Sequence, residues 1–113
     1  MSYYDEEQTS ELRKVLEAHI LSWSGVEKKK MMGCPCYMAN GKLFAIMVTG
    51  GIVITRLTDA EREGLGKVHP FKPFVAHNTV KKWAHLALKK SEIDKILPWV
   101  ETSYRAALRE SKP

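Results

Sequence analysis

The chain has 113 residues, of which 44% are hydrophobic and 27% charged, and its formal net charge is +5. A chain of this size can bury one real hydrophobic core, and its composition excludes the disordered, collagen-like and low-complexity classes. We therefore expect a single, moderately basic domain over residues 1–113. Its composition does not indicate a particular function.

The N-terminus is acidic where a secretory signal peptide needs basic residues, and no apolar segment follows it. The longest apolar run, Leu43 to Val48, has six residues, whereas about 20 are needed to cross a bilayer. A disulfide bond between two cysteines separated by one residue could not link distant parts of a fold. These features predict a cytoplasmic protein with reduced thiols and no membrane segment.

The first element, roughly Ser2 to Ser24, has the pattern of an amphipathic helix. Ser2 with Asp5 three residues later predicts its N-cap, and Gly25 predicts a left-handed C-cap. The apolar residues recur at steps of three and four, which places one stripe against the core: Leu12, Val15, Leu16, Ile20 and Trp23.

From Val26 to Leu57 the apolar period falls to 2, which is typical of strands. Asn40-Gly41 and Gly50-Gly51 predict two hairpin turns. They separate strands over 36–39, 42–48 and 52–57, and we expect 28–33 to begin the first strand, with a kink at Gly33 or Pro35. Strict alternation in the middle strand predicts one face with Leu43, Ala45 and Met47, and the opposite face with Phe44, Ile46 and Val48.

After these strands, Thr58 with Glu61 forms a capping box that predicts a short helix, ended by Gly64 or Gly66. Strands are predicted over 72–76 and 81–88, and a final helix over 92–109 with Ser91 as its N-cap. The fold class is therefore α+β. We expect an N-terminal helix, an antiparallel sheet of about four to six strands with the short helix inserted, and a C-terminal helix kinked at Pro98.

The run from Met32 to Ala45, Met-Gly-Cys-Pro-Cys-Tyr-Met-Ala-Asn-Gly-Lys-Leu-Phe-Ala, resembles the signature of the TfoX/Sxy family N-terminal domain. The passage Val53 to Arg62 is similar to the family's strand, Arg-Leu and capped short helix, and Ser91 to Leu108 occupies the place of its final helix. The resemblance covers roughly residues 10–110 and departs from the family at Met32, where an aromatic residue is usual.

This resemblance implies an α+β domain from a bacterial family whose founding members regulate competence genes together with a cAMP-responsive transcription factor. Those regulators carry a second, C-terminal domain. We expect a stand-alone N-terminal-type domain here, because the sequence given stops at Pro113. The resemblance implies no defined active site.

Cys34-Pro35-Cys36 is a sulfur-rich motif of the kind that can bind a metal or take part in redox reactions. Thiolates bind soft metals, but this spacing is too short for a structural zinc site, which also needs four ligands. We interpret the cysteines as small buried residues, and a redox role for Cys34 and Cys36 is the alternative. We find no catalytic serine motif and no phosphate-binding loop, so the sequence predicts no enzyme, no cofactor and no metal site.

The strongest electrostatic feature is a set of lysine clusters. They are candidate nucleic-acid contacts, but lysines also protect sheet edges from unwanted pairing. No recognition helix or stacking aromatic residue accompanies them. The candidates are Lys28, Lys29, Lys30, Lys81 and Lys82.

Trp99 lies one step away from the apolar stripe of the last helix, so it is a candidate interface residue as well as a cover for the core. A homodimer joined by a sheet edge or by the final helix is one arrangement that it suggests. The sequence as a whole predicts a non-enzymatic regulatory or adaptor domain that works through protein–protein contacts. Weak nucleic-acid binding without sequence specificity is the alternative, and a thiol redox or small-ligand role at Cys34 and Cys36 comes third.

Overall fold

The computed structural model describes residues 4–111 and confirms the α+β class. This part of the chain forms three α-helices and six strands, and a single 3₁₀ turn, Lys90–Glu92, leads into the last helix. In chain order the elements are α1 (Glu6–Ile20), β1 (Val26–Met31), β2 (Cys34–Ala39), β3 (Lys42–Val48), β4 (Gly51–Ile54), α2 (Asp59–Gly66), β5 (Lys72–Val75), β6 (Thr79–Ala87) and α3 (Ile93–Ser111).

The six strands form one antiparallel sheet in the order β1-β2-β3-β4-β6-β5. Strands that follow each other along the chain also pair in the sheet, except that β4 pairs with β6 and not with β5. The chain forms α2 and β5 between β4 and β6. The two edges of the sheet are therefore β1 and β5.

The three helices cover one face of the sheet and form the main core with it. Leu16 and Ile20 of α1, Leu65 of α2 and the apolar stripe of α3 are buried against side chains such as Tyr37 and Phe44. The predicted stripe of α3 is confirmed at five positions that are buried in this core: Ile93, Ile96, Val100, Tyr104 and Ala107.

The opposite face carries a second buried cluster, to which none of the three helices contributes a residue. Its buried members come only from strands, namely Cys34, Cys36, Ile46, Val48, Val53 and Phe74. The cluster extends from β2 to β5, which have three strands between them. Half-buried Tyr4 and Trp83 pack against it.

The predicted alternation along β3 is wrong at its start, because a bulge interrupts the strand. Cys36 pairs with Ile46 and Tyr37 with Ala45, but Met38 pairs with Leu43, so Phe44 is the extra residue. Phe44 consequently joins Ala45 in the main core, while Leu43 packs on the second cluster.

Ser103 of α3 stabilises this bulge. Its buried hydroxyl donates to the carbonyl of Phe44 at 2.7 Å and accepts from the N–H of Arg56 at 3.0 Å. The carbonyl of Leu43 accepts from the Arg56 guanidinium at 2.6 Å and from the Thr55 hydroxyl at 3.2 Å. The backbone carbonyls of Leu43 and Phe44 at the bulge are thus satisfied, as buried groups must be.

Two predicted helix boundaries of α1 are wrong. The helix begins at Glu6 with Asp5 as its N-cap, whereas the predicted N-cap Ser2 lies outside the described residues. The helix ends at Ile20, and Gly25 instead serves the turn into β1 with φ of +78°. A β-carbon on Gly25 would lie 2.4 Å from the Asn40 side-chain oxygen, so only glycine fits there.

The other boundaries agree more closely with the sequence. Thr58 and Glu61 form the predicted capping box of α2, and α3 runs unbroken through Pro98. Ser91 is not the N-cap, because it lies within the 3₁₀ turn, which begins after Lys89. Within residues 4–111, none of the helices is long and apolar enough to cross a membrane.

Candidate functional site

The β1 strand is the most open part of the sheet. Among the elements of residues 4–111 it pairs only with β2, and every residue from Glu27 to Met31 is exposed. A tight turn joins the two strands, with positive φ at both Met32 and Gly33. The predicted kinked strand over 28–39 is therefore two strands of a hairpin. Met31 and Met32 lie exposed at its tip, the latter with 58% of its surface accessible.

The hydrogen-bonding pattern shows which backbone groups of β1 face outward. The carbonyl of Gly25 accepts from the N–H of Asn40 at 3.1 Å, directly before the first pair of the ladder. Because bonded and non-bonded pairs alternate between antiparallel strands, Glu27, Lys29 and Met31 bond to β2. The N–H and C=O groups of Lys28 and Lys30 consequently point away from the sheet.

A groove of about 580 Å³ runs between β1 and the first half of α1. We call it the α1–β1 groove, and its walls are predominantly charged. Its lining residues are Tyr4, Glu6, Arg13, Lys28, Lys29, Lys30, Gly33 and Pro35.

A charged network forms the floor of this groove, with Arg13 at its centre. The Arg13 guanidinium donates twice to Glu6, at 3.0 and 2.9 Å, and once to Glu17 at 2.9 Å. Glu17 also accepts from the Tyr37 hydroxyl at 2.7 Å and pairs with Lys28 at 3.1 Å. Glu17 is only 11% exposed, so this carboxylate ties α1 to both strands of the first hairpin.

Electrostatics hold these groups in fixed charge states. The hydrogen bonds from Arg13 and from Tyr4 lower the pKa of Glu6 to about 2. Burial, reinforced by the Glu6 hydrogen bond, raises the pKa of Tyr4 to about 12. The pKa of Tyr37 is also raised, first by burial and then by its hydrogen bond to Glu17. Glu6 thus stays ionised and both phenols stay neutral across the physiological range.

The two candidate lysine clusters lie on different strands. Lys28, Lys29 and Lys30 occupy the β1 edge, whereas Lys81 and Lys82 lie on β6 where its pairing with β5 shifts register. Three strands separate β1 from β6, which is about 19 Å along the sheet. The structure therefore places the predicted nucleic-acid contacts in two groups.

Within the β1 group the lysines are not equivalent. Lys28 pairs with Glu17, but within the described residues no carboxylate forms an ion pair with Lys29 or Lys30. Lys30 pairs with Pro35 and Lys29 with Cys36, so their side chains leave opposite faces of the strand. Uncompensated positive charge therefore flanks the open edge on both faces.

Cys34 and Cys36 lie on the second face of the sheet, each only 1% exposed. Burial raises the pKa of the Cys34 thiol, and burial together with neighbouring Cys34 raises that of Cys36 to about 11. The thiolate is the reactive form of cysteine, so both thiols are held in the unreactive state. Among residues 4–111, His, Cys, Asp and Glu side chains form no group of three placed to hold a metal ion.

Trp99 is half-buried and turns towards α2. Its indole N–H donates to the carbonyl of Glu61 at 3.1 Å, and the ring lies about 4 Å from where a β-carbon on Gly64 would be. A tryptophan held in this way anchors α2 to α3. The sequence suggested two roles for Trp99, as a cover for the core or as an interface residue, and this contact corresponds to the first.

A smaller cavity of about 290 Å³ lies at the other end of the sheet, beside β5. Buried His69 lines it, with Nδ1 2.7 Å from the carbonyl of Pro70 and Nε2 3.4 Å from the Glu92 carboxylate. His85 also lines it, and burial with nearby Lys72 lowers the pKa of His85. These contacts tie the loop before β5 to the start of α3.

Sequence reasoning identified the lysines of the α1–β1 groove but missed Arg13, Glu17 and Tyr37. Arg13 and Glu17 are four residues apart on α1, the spacing of a common surface ion pair. Nothing in the sequence shows that Tyr37 and Lys28 converge on the same carboxylate. A search of protein-family models finds none that matches this chain, and a search of curated proteins finds no match either.

Proposed function

We propose that this protein is a non-enzymatic regulatory or adaptor module that binds a protein partner along the β1 edge. One observation carries the proposal: among residues 4–111, β1 leaves the backbone groups of Lys28 and Lys30 unpaired on an exposed strand beside a groove. Such an edge accepts a strand from another chain through main-chain hydrogen bonds. The exposed side chains of Met31 and Met32 at its tip add apolar contact area.

The charge states in the groove favour binding over catalysis. A general acid or base works best with a pKa close to the working pH. Glu6, with a pKa of about 2, and Tyr4, with a pKa of about 12, are both far from that range. Arg13 and Glu17 are engaged with each other and with neighbouring side chains, so these groups position elements of the fold.

The resemblance of residues 32–45 to the TfoX/Sxy N-terminal domain supports the same proposal from the sequence side. It suggests a cytoplasmic, bacterial domain with a regulatory role, whose partner is another protein. A homodimer is a further arrangement that this proposal allows, through α3 or through a sheet edge.

The alternative is weak nucleic-acid binding, and one feature favours it: Lys29 and Lys30 have no ion-pair partner among the described residues. Phosphate contacts by lysines give affinity without sequence specificity. The third candidate, a redox role at Cys34 and Cys36, would require the second cluster to open, since both thiols are buried in it.

The proposed function is tested by capturing the native partner with two variants. Lys30→Pro removes an outward-facing N–H from β1 without removing a hydrogen bond to β2. Lys82→Gln is the matched control, because it removes the same charge from β6. Extracts are used with and without nuclease treatment, and thermal unfolding verifies that both variants fold.

We expect the wild type and Lys82→Gln to retain one specific protein, and Lys30→Pro to lose it. Equal capture by all three proteins would contradict binding at β1. Capture that vanishes on nuclease treatment, and that falls equally in both variants, would favour the nucleic-acid alternative instead.

A further inference from the structure

The open edge of β1 is long enough to hold a partner strand. Its six residues span about 20 Å, and the outward groups of Lys28 and Lys30 are two donors and two acceptors in the correct spacing. An added strand would lie beside the α1–β1 groove, so that every second side chain of the partner faces the groove.

Charge along this edge selects the partner. On the groove side Arg13 is matched by Glu6 and Lys28 by Glu17, while Lys30 has no ion-pair partner in the described part of the chain. On the other face Lys29 likewise has none among residues 4–111, and Glu27 is the one carboxylate of β1 there. Opposite charges on directly paired strands stabilise the pair, and like charges destabilise it. Both faces of an added strand therefore favour acidic side chains.

We propose, resting on the function proposed above, that the partner contributes an extended acidic segment, which pairs with Lys28 and Lys30 of β1 and directs its carboxylates to Lys29 and Lys30. The lysines have two roles in this arrangement. They prevent pairing of the edge with neutral or basic strands, and they attract the acidic one.

The test is an NMR titration of the ¹⁵N-labelled protein with synthetic seven-residue peptides. The probe carries adjacent pairs of glutamates among threonines, so that carboxylates lie on both faces of the extended peptide. Two matched peptides replace glutamate by glutamine or by lysine. A fourth peptide keeps the glutamates but carries N-methyl groups on alternate amides, which prevents strand pairing while leaving the charge unchanged.

We expect the glutamate peptide to shift the amides of residues 26–31 and to bind at least tenfold more tightly than the glutamine peptide. The lysine and N-methylated peptides should not bind. In Lys30→Glu the preference should move towards the lysine peptide, a reversal that simple misfolding cannot produce.

The outcomes separate the two proposals. Equal binding of the glutamate and glutamine peptides at β1 would leave β1 as the binding edge and overturn the preference for acid. If neither peptide reached β1, both proposals would be overturned. Equal binding of the N-methylated peptide would show contact through charge alone and would overturn strand addition.

Discussion

The two edges of the sheet are built in opposite ways. β5 is short, contains Pro73, and buries Phe74 in the second cluster, whereas β1 is longer, has no proline and buries none of its side chains. Proline has no N–H to donate and is a common means of closing a sheet edge. The β5 edge is therefore held by apolar burial and contains a proline, while β1 is held by polar contacts and contains none.

The difference shows two ways of holding an edge strand in one small sheet. Burial of Phe74 stabilises β5 through apolar contacts in the second cluster. The β1 strand instead depends on its ladder with β2 and on the Glu17 network, and the backbone groups of Lys28 and Lys30 point outward. Under the proposed function, the lysines of β1 would determine which partner strands can pair with it.

The largest effect is expected where the β5 edge is anchored. Phe74→Ala removes a side chain that is only 4% exposed, and we expect a loss of about 3–5 kcal/mol in the free energy of unfolding. The control is the neighbouring Val75→Ala, which changes an exposed side chain and should cost little. Urea unfolding measures both. Similar losses in the two variants would mean that Phe74 does not anchor this edge.

The polar anchor of β1 should be weaker. Glu17→Gln removes the charge that Arg13 and Lys28 share, and we expect a loss of about 2 kcal/mol. Glu11→Gln on the same helix is the control, because Glu11 is 75% exposed and its ion pair with Lys90 is long. Urea unfolding again measures the loss, and no difference between the two variants would show that the network does not hold β1.

Hydrogen exchange should reveal the open edge directly in the unmodified protein. The amides of Lys28 and Lys30 point outward, so they should exchange at least tenfold faster than those of Lys29 and Met31, which bond to β2. NMR exchange rates measure each amide separately. The reverse order would place the other three residues of the strand at the open edge and would invalidate the design of Lys30→Pro.

Most elements of this fold could be predicted from the sequence, because they depend on local signals. Asn40-Gly41, the Thr58 capping box and the α3 stripe each act within a few residues. The Met32-Gly33 turn was missed because methionine rarely adopts positive φ, so the pair lacks the usual turn signature. The number of strands was therefore the less certain part of the prediction.

The bulge and the groove could not be predicted, because both depend on contacts between distant residues. The bulge at Phe44 is stabilised by Ser103, which lies 59 residues further along the chain. The groove exists because α1 docks through Glu17 onto Tyr37 and Lys28. Periodicity placed these residues on elements but carried no information about which side chains meet.

The smallest expected effect is the acid sensitivity of the α1–β1 groove. The folded pKa of Glu6 is about 2, below its ordinary value of 4.5, because Arg13 and Tyr4 bond its ionised form. A carboxylate with a lowered pKa contributes stability that is present above about pH 4.5 and is lost as the pH falls towards 2. Glu6→Gln should therefore lose stability less steeply than the wild type in that window, as measured by urea unfolding at a series of pH values.

Glu7→Gln is the control. The Glu7 carboxylate forms no ion pair within the described residues, so this variant should follow the wild type. Parallel curves for Glu6→Gln and the wild type would show that the Glu6–Arg13 pair does not stabilise the folded protein. Exchange at the amides of Lys29 and Met31, followed over the same pH range, would then show whether acid loosens β1 before it loosens β5.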